Sequence, residues 1–260
     1  MTDNEGTGRY VYCIAQANGE HNLGRISLAG TEVYTIPAGG LCAIVHDCPA
    51  APYSSDEEEI VHQWVISHQA VVEAALKEFG TVLPMRFDTI IRDTDAISAE
   101  DNVRRWLSDD SDVLRQKLER VRGKEEYGVQ VFWDPTAITR LLSETNPEIA
   151  GLEEDIRSKS RGLAYMYRQR LEKLLKQEVE TEVEKRFRDF HHRIKASVIE
   201  VKLEKTKREG GKQMMMNLSC LVPMEGAGPL ADELEEIDQM DGFSVRFTGP
   251  WPPYSFVTWE

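Results

Sequence analysis

Four side chains near the start of the chain are of the types that bind zinc. Cys42, His46 and Cys48 have the same parity along one predicted strand, so all three can face the same side of it. Cys13, on an earlier predicted strand, would complete a Cys₃His set. Their spacing fits no common zinc signature, however, and small thiols that pack a core strand are the favoured interpretation. We therefore expect no metal site and no cofactor.

The other residues with catalytic chemistry are not placed to use it. His62 and His68 lie six residues apart on a predicted helix, which points the two rings in different directions. The acidic runs are explained by helix ends and solvated breaks, and none isolates a pair of carboxylates for acid–base chemistry. No phosphate-binding loop and no nucleophile motif is present. The sequence therefore predicts a protein without catalytic residues that is not an enzyme and has no small-molecule substrate.

Composition limits the class of partner. The 260 residues are 41% hydrophobic and 29% charged, as in a globular protein, with a net charge of −14. Such an acidic chain is unsuited to nucleic acid or to an anionic membrane surface. Four cysteines in a chain of this size predict reduced thiols rather than a disulfide framework. Residues 1–8 are polar and short, which predicts a flexible N-terminus, and with no bilayer-length apolar run we expect a cytoplasmic protein.

The first half of the chain predicts an α+β domain over residues 9–122. Three β-rich runs, at 9–16, 32–36 and 41–47, precede a helix that ends at Gly80. Ser55 and Glu58 have the spacing of a capping box, which predicts the start of that helix. An extended segment at 82–91 is interrupted by Pro84, and two further helices follow, the first of them capped by Ser98.

The second half predicts a ferredoxin-like βαββαβ domain over residues 123–248. Its first helix runs from 147 to about 192, roughly 70 Å, far more than a small sheet covers. It must therefore break, with Gly162 and 189–192 as candidates, or project. Gly210-Gly211 predicts a hairpin turn between the next two strands. One helix stripe carries apolar residues at 3–4 spacing, among them Leu171, Leu175, Val179 and Val183.

A tail at residues 249–260 follows the last predicted strand. Its start, TGPWPPYSF at 248–256, holds three prolines and three aromatic residues, which excludes a helix and a central strand. We expect an extended strip that covers the sheet of the second domain or contacts a partner. The aromatic side chains that would make such contacts are Trp251, Tyr254 and Phe256.

This tail resembles the C-terminal signature of the gas vesicle accessory proteins of the GvpF/GvpL family. Two further stretches, VLPMRFDT at 82–89 and GKEEYGVQV at 123–131, match the family in the same order. The resemblance implies an α+β N-terminal domain joined to a ferredoxin-like C-terminal domain. Arg86 is expected to pair with Asp88 or with a helix end, and Asp88 replaces the usual glycine, so the local turn is expected to differ. The residues of the structural family motif are Pro84, Arg86, Phe87, Gly249, Pro250, Pro252 and Pro253.

The resemblance also implies a function. Family members are accessory proteins and minor vesicle components that bind the small hydrophobic shell protein and other accessory proteins. The aromatic tail and the apolar stripe of the long helix are then the expected partner contacts. An alternative interpretation is a ferredoxin-like regulator that binds a small molecule, since that fold hosts many ligand-binding modules.

Overall fold

The computed structural model describes residues 6–206, 208–209 and 212–259, which form two compact units of mixed α and β structure. The first unit comprises the described residues up to Glu126 together with those from Pro250 onward, and the second comprises Tyr127–Gly249. Of the N-terminus predicted to be flexible, residues 1–5 lie outside the described part, whereas Thr7 and Gly8 already belong to the first strand.

The first unit contains one mostly antiparallel sheet and three helices. Its strands follow the order β2-β3-β4-β1-β5, with β6 also paired to β1. The central strands β1 and β4 are almost wholly buried, which explains their continuous apolar sequences. The elements are β1 Thr7–Ala15, β2 Asn22–Gly24, β3 Val33–Ala38, β4 Leu41–Pro49, α1 Glu58–Phe79, β5 Val82–Pro84, β6 Ile90–Arg92, α2 Ala99–Asp109 and α3 Ser111–Val121.

The predicted start of α1 is wrong, although its end is confirmed. The helix begins at Glu58, and the hydroxyl of Ser55 accepts the N–H of Glu57 instead of capping the first turn. Gly80 ends the helix with φ 73°, a conformation that glycine adopts without strain. The predicted cap of α2 is confirmed, since the hydroxyl of Ser98 accepts the N–H of Asp101.

The second unit has the predicted βαββαβ order. Four of its strands are arranged β11-β7-β10-β8, the strand order of a ferredoxin-like sheet, and the short strand β9 pairs with β10. The hairpin turn predicted at Gly210-Gly211 lies outside the described residues. The elements are β7 Lys124–Trp133, α4 Pro135–Thr145, α5 Pro147–Ser158, α6 Arg161–Ala196, β8 Glu200–Leu203, β9 Arg208–Glu209, β10 Lys212–Pro223, α7 Gly228–Asp238 and β11 Phe243–Trp251.

The long helix predicted from residue 147 is two helices. The break falls at Lys159 and Ser160, two residues before Gly162, and both break residues have extended backbone. No break occurs at 189–192, and α6 runs for 36 residues, about 54 Å. Its apolar stripe packs on the core of the second unit, where four of its side chains are half-buried: Leu171, Leu175, Val179 and Val183. None of the helices in the described ranges has the length and apolarity needed to cross a membrane.

Candidate functional site

The tail returns to the first unit instead of covering the sheet of the second. Strand β11 continues through Pro250 to Trp251, which an edge strand tolerates because its outer N–H groups need no ladder partner. Pro252 and Pro253 are buried, and a 3₁₀ turn follows at Tyr254–Phe256. The expectation of an extended strip is therefore wrong at Tyr254–Phe256.

One carboxylate fixes the turn of the tail. Glu126 is only 7% exposed, and its two oxygens accept the backbone N–H and the hydroxyl of Ser255, at 2.8 and 2.6 Å. A buried carboxylate needs such donors because its desolvation would otherwise be uncompensated. The second family stretch, which contains Glu126, thereby holds the third, which contains Ser255.

A tryptophan fixes the last described residues. The indole Nε1 of Trp259 donates to the carbonyl of Pro84 at 3.0 Å. The ammonium of Lys117 lies 4.8 Å from the centre of the Trp259 ring and donates to the carbonyl of Thr258 at 2.6 Å. Pro84 belongs to the first family stretch, so this stretch and Glu126 of the second stretch both hold the tail in the first unit.

Beneath the tail lies a buried network of tyrosines and histidines. The hydroxyl of Tyr12 accepts the N–H of Leu28 and lies 2.9 Å from Nδ1 of His46, whose Nε2 lies 2.9 Å from the hydroxyl of Tyr53. Which partner donates at each of these two contacts depends on the tautomer of the His46 ring. Both ring nitrogens of His46 are engaged, which leaves neither for a metal.

The thiols of the hypothetical zinc set serve as core packing. Cys13, Cys42 and Cys48 are all free, buried and part of the hydrophobic core of the first unit. Within the part of the chain that the structure describes, no three His, Cys, Asp or Glu side chains are grouped to hold a metal ion.

The second half of the network connects to the first family stretch. The hydroxyl of Tyr10 accepts the N–H of Asp88 and lies 2.9 Å from Nδ1 of His68. A carboxylate oxygen of Asp88 accepts the N–H of Tyr53 at 2.9 Å. The ring of Phe87 packs edge-on against both Tyr10 and His68. The loop after β5 is thereby tied to β1 and α1.

Burial sets the charge state of this network. Loss of solvent lowers the pKa of His46 and of His68 to about 4, so both rings are neutral at pH 7. The same effect raises the pKa of Tyr53 to about 12. His46 is 0% and His68 4% exposed, so neither ring reaches a substrate in solvent. Their chemistry is hydrogen bonding that shapes the core.

The expectation that Arg86 forms an ion pair is corrected, and Asp88 supplies a turn. Arg86 is exposed and forms no ion pair with any residue that the structure describes. Asp88 has φ 66°, a left-handed conformation that favours glycine. Aspartate tolerates this conformation better than most residues, and its carboxylate gains the hydrogen bond to Tyr53.

An apolar groove runs along the outer face of α1. One part, a cavity of about 470 Å³, is lined by α1 and by the tail residues Trp251 and Tyr254. A second depression of about 630 Å³ continues along the helix towards Glu58, and Val65 lines both. From Glu58 to Glu73 the helix rises by about 22 Å. We call this surface the α1 groove; its lining residues are Ser55, Glu58, Glu59, Val61, His62, Val65, Ile66, Gln69, Ala70, Glu73, Glu126, Trp251 and Tyr254.

The groove exposes large apolar side chains. Val65 is 45%, Ile66 54% and Trp251 41% exposed. Of the three aromatic residues predicted to contact a partner, Trp251 and Tyr254 line the groove, whereas Phe256 is 2% exposed inside the first unit. The sequence analysis missed Val65 and Ile66. The signal was available, because both lie on α1 outside the stripe that packs on the sheet.

Comparisons with a family model, with relatives and with a solved structure all point to gas vesicle proteins. A family model described as "Gas vesicle synthesis protein GvpL/GvpF" matches residues 8–258. Gas vesicle protein L of Haloferax mediterranei is 31% identical, over 86% of this chain and 70% of the relative. Gas vesicle protein L1 of Halobacterium salinarum is 29% identical, over 96% of this chain and 90% of the relative. The crystal structure of the gas vesicle protein GvpF from Anabaena superposes with a TM-score of 0.75, at 21% identity and over 98% and 99% of the two chains.

Proposed function

Since this chain belongs to the gas vesicle synthesis protein GvpL/GvpF family, we propose that it is a non-enzymatic accessory protein of gas vesicle assembly that binds the hydrophobic shell protein. We place the contact in the α1 groove. The proposal extends to other accessory proteins as partners and to a location in the cytoplasm at gas vesicles.

The exposed apolar floor and wall of the groove support this proposal most directly. Val65, Ile66 and Trp251 present a continuous apolar surface on a helix and a tail that are both anchored. A contiguous exposed apolar surface on a water-soluble fold is typical of a protein interaction site. A groove about 22 Å long suits one amphipathic helix or one extended segment of a partner.

The negative net charge of the chain suits a protein that carries an apolar subunit. A strongly apolar shell subunit tends to associate non-specifically before it reaches the growing wall. A carrier that covers this surface, and that has a net charge of −14, keeps the complex dispersed through repulsion between carriers. No cofactor and no covalent step is needed. The aliphatic stripe at Leu171, Leu175, Val179 and Val183 remains a predicted contact, although its half-burial leaves less surface free than the groove offers.

Co-expression with the shell protein tests the proposal. The double variant Val65→Ser/Ile66→Ser should capture at least tenfold less shell protein than the wild type. Val113→Ser is the matched control, since Val113 is 51% exposed on α3 and lies outside the groove. Equal capture by the double variant would show that the contact lies outside the α1 groove. If the wild type captures none and vesicles form normally without it, the proposed function is wrong.

The alternative, a regulator that binds a small molecule, predicts a different result. A polar depression of about 320 Å³ in the second unit is lined by Asp134, Arg140, Lys212 and Asp241, among other residues. Arg140 is already paired with Asp241 at 3.0 Å, which leaves less charge for a ligand. A saturable thermal shift with a metabolite, lost in Lys212→Ala, would favour this alternative.

A further inference from the structure

The lining of the α1 groove is acidic as well as apolar. Among the described residues that line it, four are glutamates and none is a lysine or an arginine. The chain as a whole has 31 lysines and arginines against 45 acidic residues, so the lining is more one-sided than the overall composition requires. Three of the four glutamates are exposed on α1, namely Glu58, Glu59 and Glu73. A molecule in the groove therefore meets negative charge beside apolar surface.

The acidic and the apolar side chains lie on the same side of α1. Glu58 precedes Val65 by seven residues, which is close to two full turns, so the two share one line along the helix. Glu59, Ile66 and Glu73 are also spaced by seven residues and share a second line. All five fall within about 120° of the helix circumference, opposite the buried residues of α1. We call Glu58 and Glu59 the acidic pair, and Val65 and Ile66 the apolar pair.

These groups follow one another along the groove. The acidic pair lies in the first turn of α1, the apolar pair two turns later, and Glu73 after two further turns. Trp251 of the tail lines the same cavity as the apolar pair. Acids in a first turn also favour the start of a helix, but this explanation does not extend to Glu73. Lys77, the single lysine of α1, lies in the last turn, beyond the lining residues.

The charges of these glutamates are not used within the described part of the chain. The carboxylate of Glu73 accepts the amide Nε2 of Gln69 at 2.9 Å, and a neutral donor leaves its charge in place. Neither Glu73 nor either member of the acidic pair forms an ion pair with a residue that the structure describes. All three carboxylates can therefore pair with cations of another molecule.

The form of the groove favours a helix as its occupant. The long wall is α1, whose backbone N–H and C=O groups are bonded within the helix and offer no edge for strand addition. An amphipathic helix laid along this wall covers apolar surface with one face. Nucleic acid and an anionic membrane surface are repelled by the same glutamates.

We propose that the α1 groove receives an amphipathic helix with an apolar middle and with lysine or arginine near both ends. The inference rests on the proposed function, in which this helix belongs to the shell protein. Its apolar face would cover the apolar pair and Trp251. Its two basic ends, about 22 Å apart, would meet the acidic pair and Glu73.

Two synthetic helices of 18 residues test the proposal by fluorescence anisotropy with the full chain. Both have the same leucine face, and one has lysines at both ends where the other has glutamates. We expect saturable binding of the lysine helix and at least tenfold weaker binding of the glutamate helix. The difference should disappear at 1 M salt, where the screening length falls to about 3 Å.

The triple variant Glu58→Gln/Glu59→Gln/Glu73→Gln should bind the lysine helix about tenfold more weakly, because each exposed ion pair changes affinity about two- to fivefold.

A matched control removes three other exposed glutamates of the first unit. Glu20→Gln/Glu32→Gln/Glu78→Gln changes the net charge by the same amount, and none of its residues lines the groove. It should bind the lysine helix as the wild type does. Equal weakening in the control would assign the effect to the net charge and overturn the proposal.

Three further results would overturn the proposal. The two helices would bind equally at low salt. A lysine peptide with a central proline, which cannot form a continuous helix, would bind as well as the lysine helix and make the occupant an extended segment. Sedimentation would show self-association of the wild type that is lost in Val65→Ser/Ile66→Ser, which would make a second copy the occupant.

Capture of the shell protein separates this inference from the proposed function. If the triple variant captures as much as the wild type while Val65→Ser/Ile66→Ser captures little, the groove binds the shell protein without its charges. The inference is then wrong and the proposed function stands. If the lysine helix binds as expected but the wild type captures no shell protein, the chemistry of the groove is confirmed and the proposed function is wrong.

Discussion

The carboxylate of Glu126 holds Ser255, a residue 129 positions later, through both its backbone N–H and its hydroxyl. This pair of hydrogen bonds joins two of the family stretches and fixes the tail in the first unit. Because Trp251 and Tyr254 line the α1 groove, the same pair also fixes one wall of the proposed binding surface. Stability of the tail and binding at the groove are therefore linked.

Removal of the carboxylate should loosen the tail. In Glu126→Ala, Ser255 loses both acceptors, and we expect a loss of about 1–3 kcal/mol in local stability. Hydrogen exchange of the peptide that contains residues 252–259 measures it. Glu78→Ala, an exposed carboxylate on α1, is the control. Unchanged exchange in Glu126→Ala would show that the aromatic contacts hold the tail alone.

Two aromatic residues of the tail should differ in what they do. Phe256 is 2% exposed, so Phe256→Ala should destabilise the first unit by about 3–5 kcal/mol. Trp251 is 41% exposed, so Trp251→Ala should cost about 1 kcal/mol or less but reduce capture of the shell protein. Urea unfolding and co-purification distinguish the two effects. If Trp251→Ala lowered stability and left capture of the shell protein unchanged, Trp251 would not be part of the binding surface.

Three substitutions at Asp88, in the left-handed turn, should differ in stability in a defined order. Asp88→Asn keeps both the tolerated conformation and an oxygen for the N–H of Tyr53, so it should be nearly neutral. Asp88→Gly loses the hydrogen bond but suits φ 66°. Asp88→Ala loses the hydrogen bond and adds strain, for a total of about 2 kcal/mol. Thermal unfolding of the three variants measures this order of stability. Equal stability of Asp88→Ala and Asp88→Asn would refute it.

The buried histidines predict a dependence of stability on pH. The pKa of each ring is about 4 in the folded state, against an ordinary value of 6.5. Between these values the unfolded chain binds more protons, so stability rises with pH and is lost as pH falls from 6.5 towards 4. The slope is up to about 1.4 kcal/mol per pH unit for each histidine.

Substitution tests this assignment. His68→Gln should flatten the slope measured by hydrogen exchange of β1 peptides between pH 7 and pH 5. His62→Gln, at an exposed position on the same helix, should leave the slope unchanged. An identical slope in all three proteins would assign the pH dependence to other groups.

A glycine of the second family stretch is required by its neighbour on β11. A Cβ on Gly128 would lie 2.6 Å from the hydroxyl oxygen of Thr248, closer than real side chains approach. Gly128→Ala should therefore destabilise the second unit by about 1–3 kcal/mol. Adding Thr248→Ala removes the clashing oxygen, and part of the loss should be recovered. A double-mutant cycle in urea with no coupling would contradict this explanation.

Local patterns in the sequence were sufficient to predict the order of helices and strands in the second unit, although not where its long helix breaks. The change from helical to alternating periodicity before Val201 marks a strand in any context, and the βαββαβ order follows from counting such elements. Element ends were less certain. The capping box at Ser55 implies a helix that begins at residue 56, whereas α1 begins at Glu58, two residues later.

The site depends on contacts that no local pattern records. The prolines at 252 and 253 restrict their own backbone, but they carry no information on which unit the chain approaches next. That choice depends on Glu126 and Pro84, more than a hundred residues away in sequence. Strand parity alone does not pair His46 with Tyr12 either, because Tyr10 is the register partner of His46 and Tyr12 lies in the β-bulge between Val11 and Cys13.

The first unit is assembled from two stretches with the whole second unit encoded between them. During translation, residues 6–126 leave the ribosome long before residues 250–259, so the nascent chain carries an unfinished first unit while the ferredoxin-like part completes itself. During that period Trp251 has not yet been synthesised and cannot line the groove beside α1. The wall of the α1 groove that Trp251 and Tyr254 form is therefore completed only after synthesis of the tail.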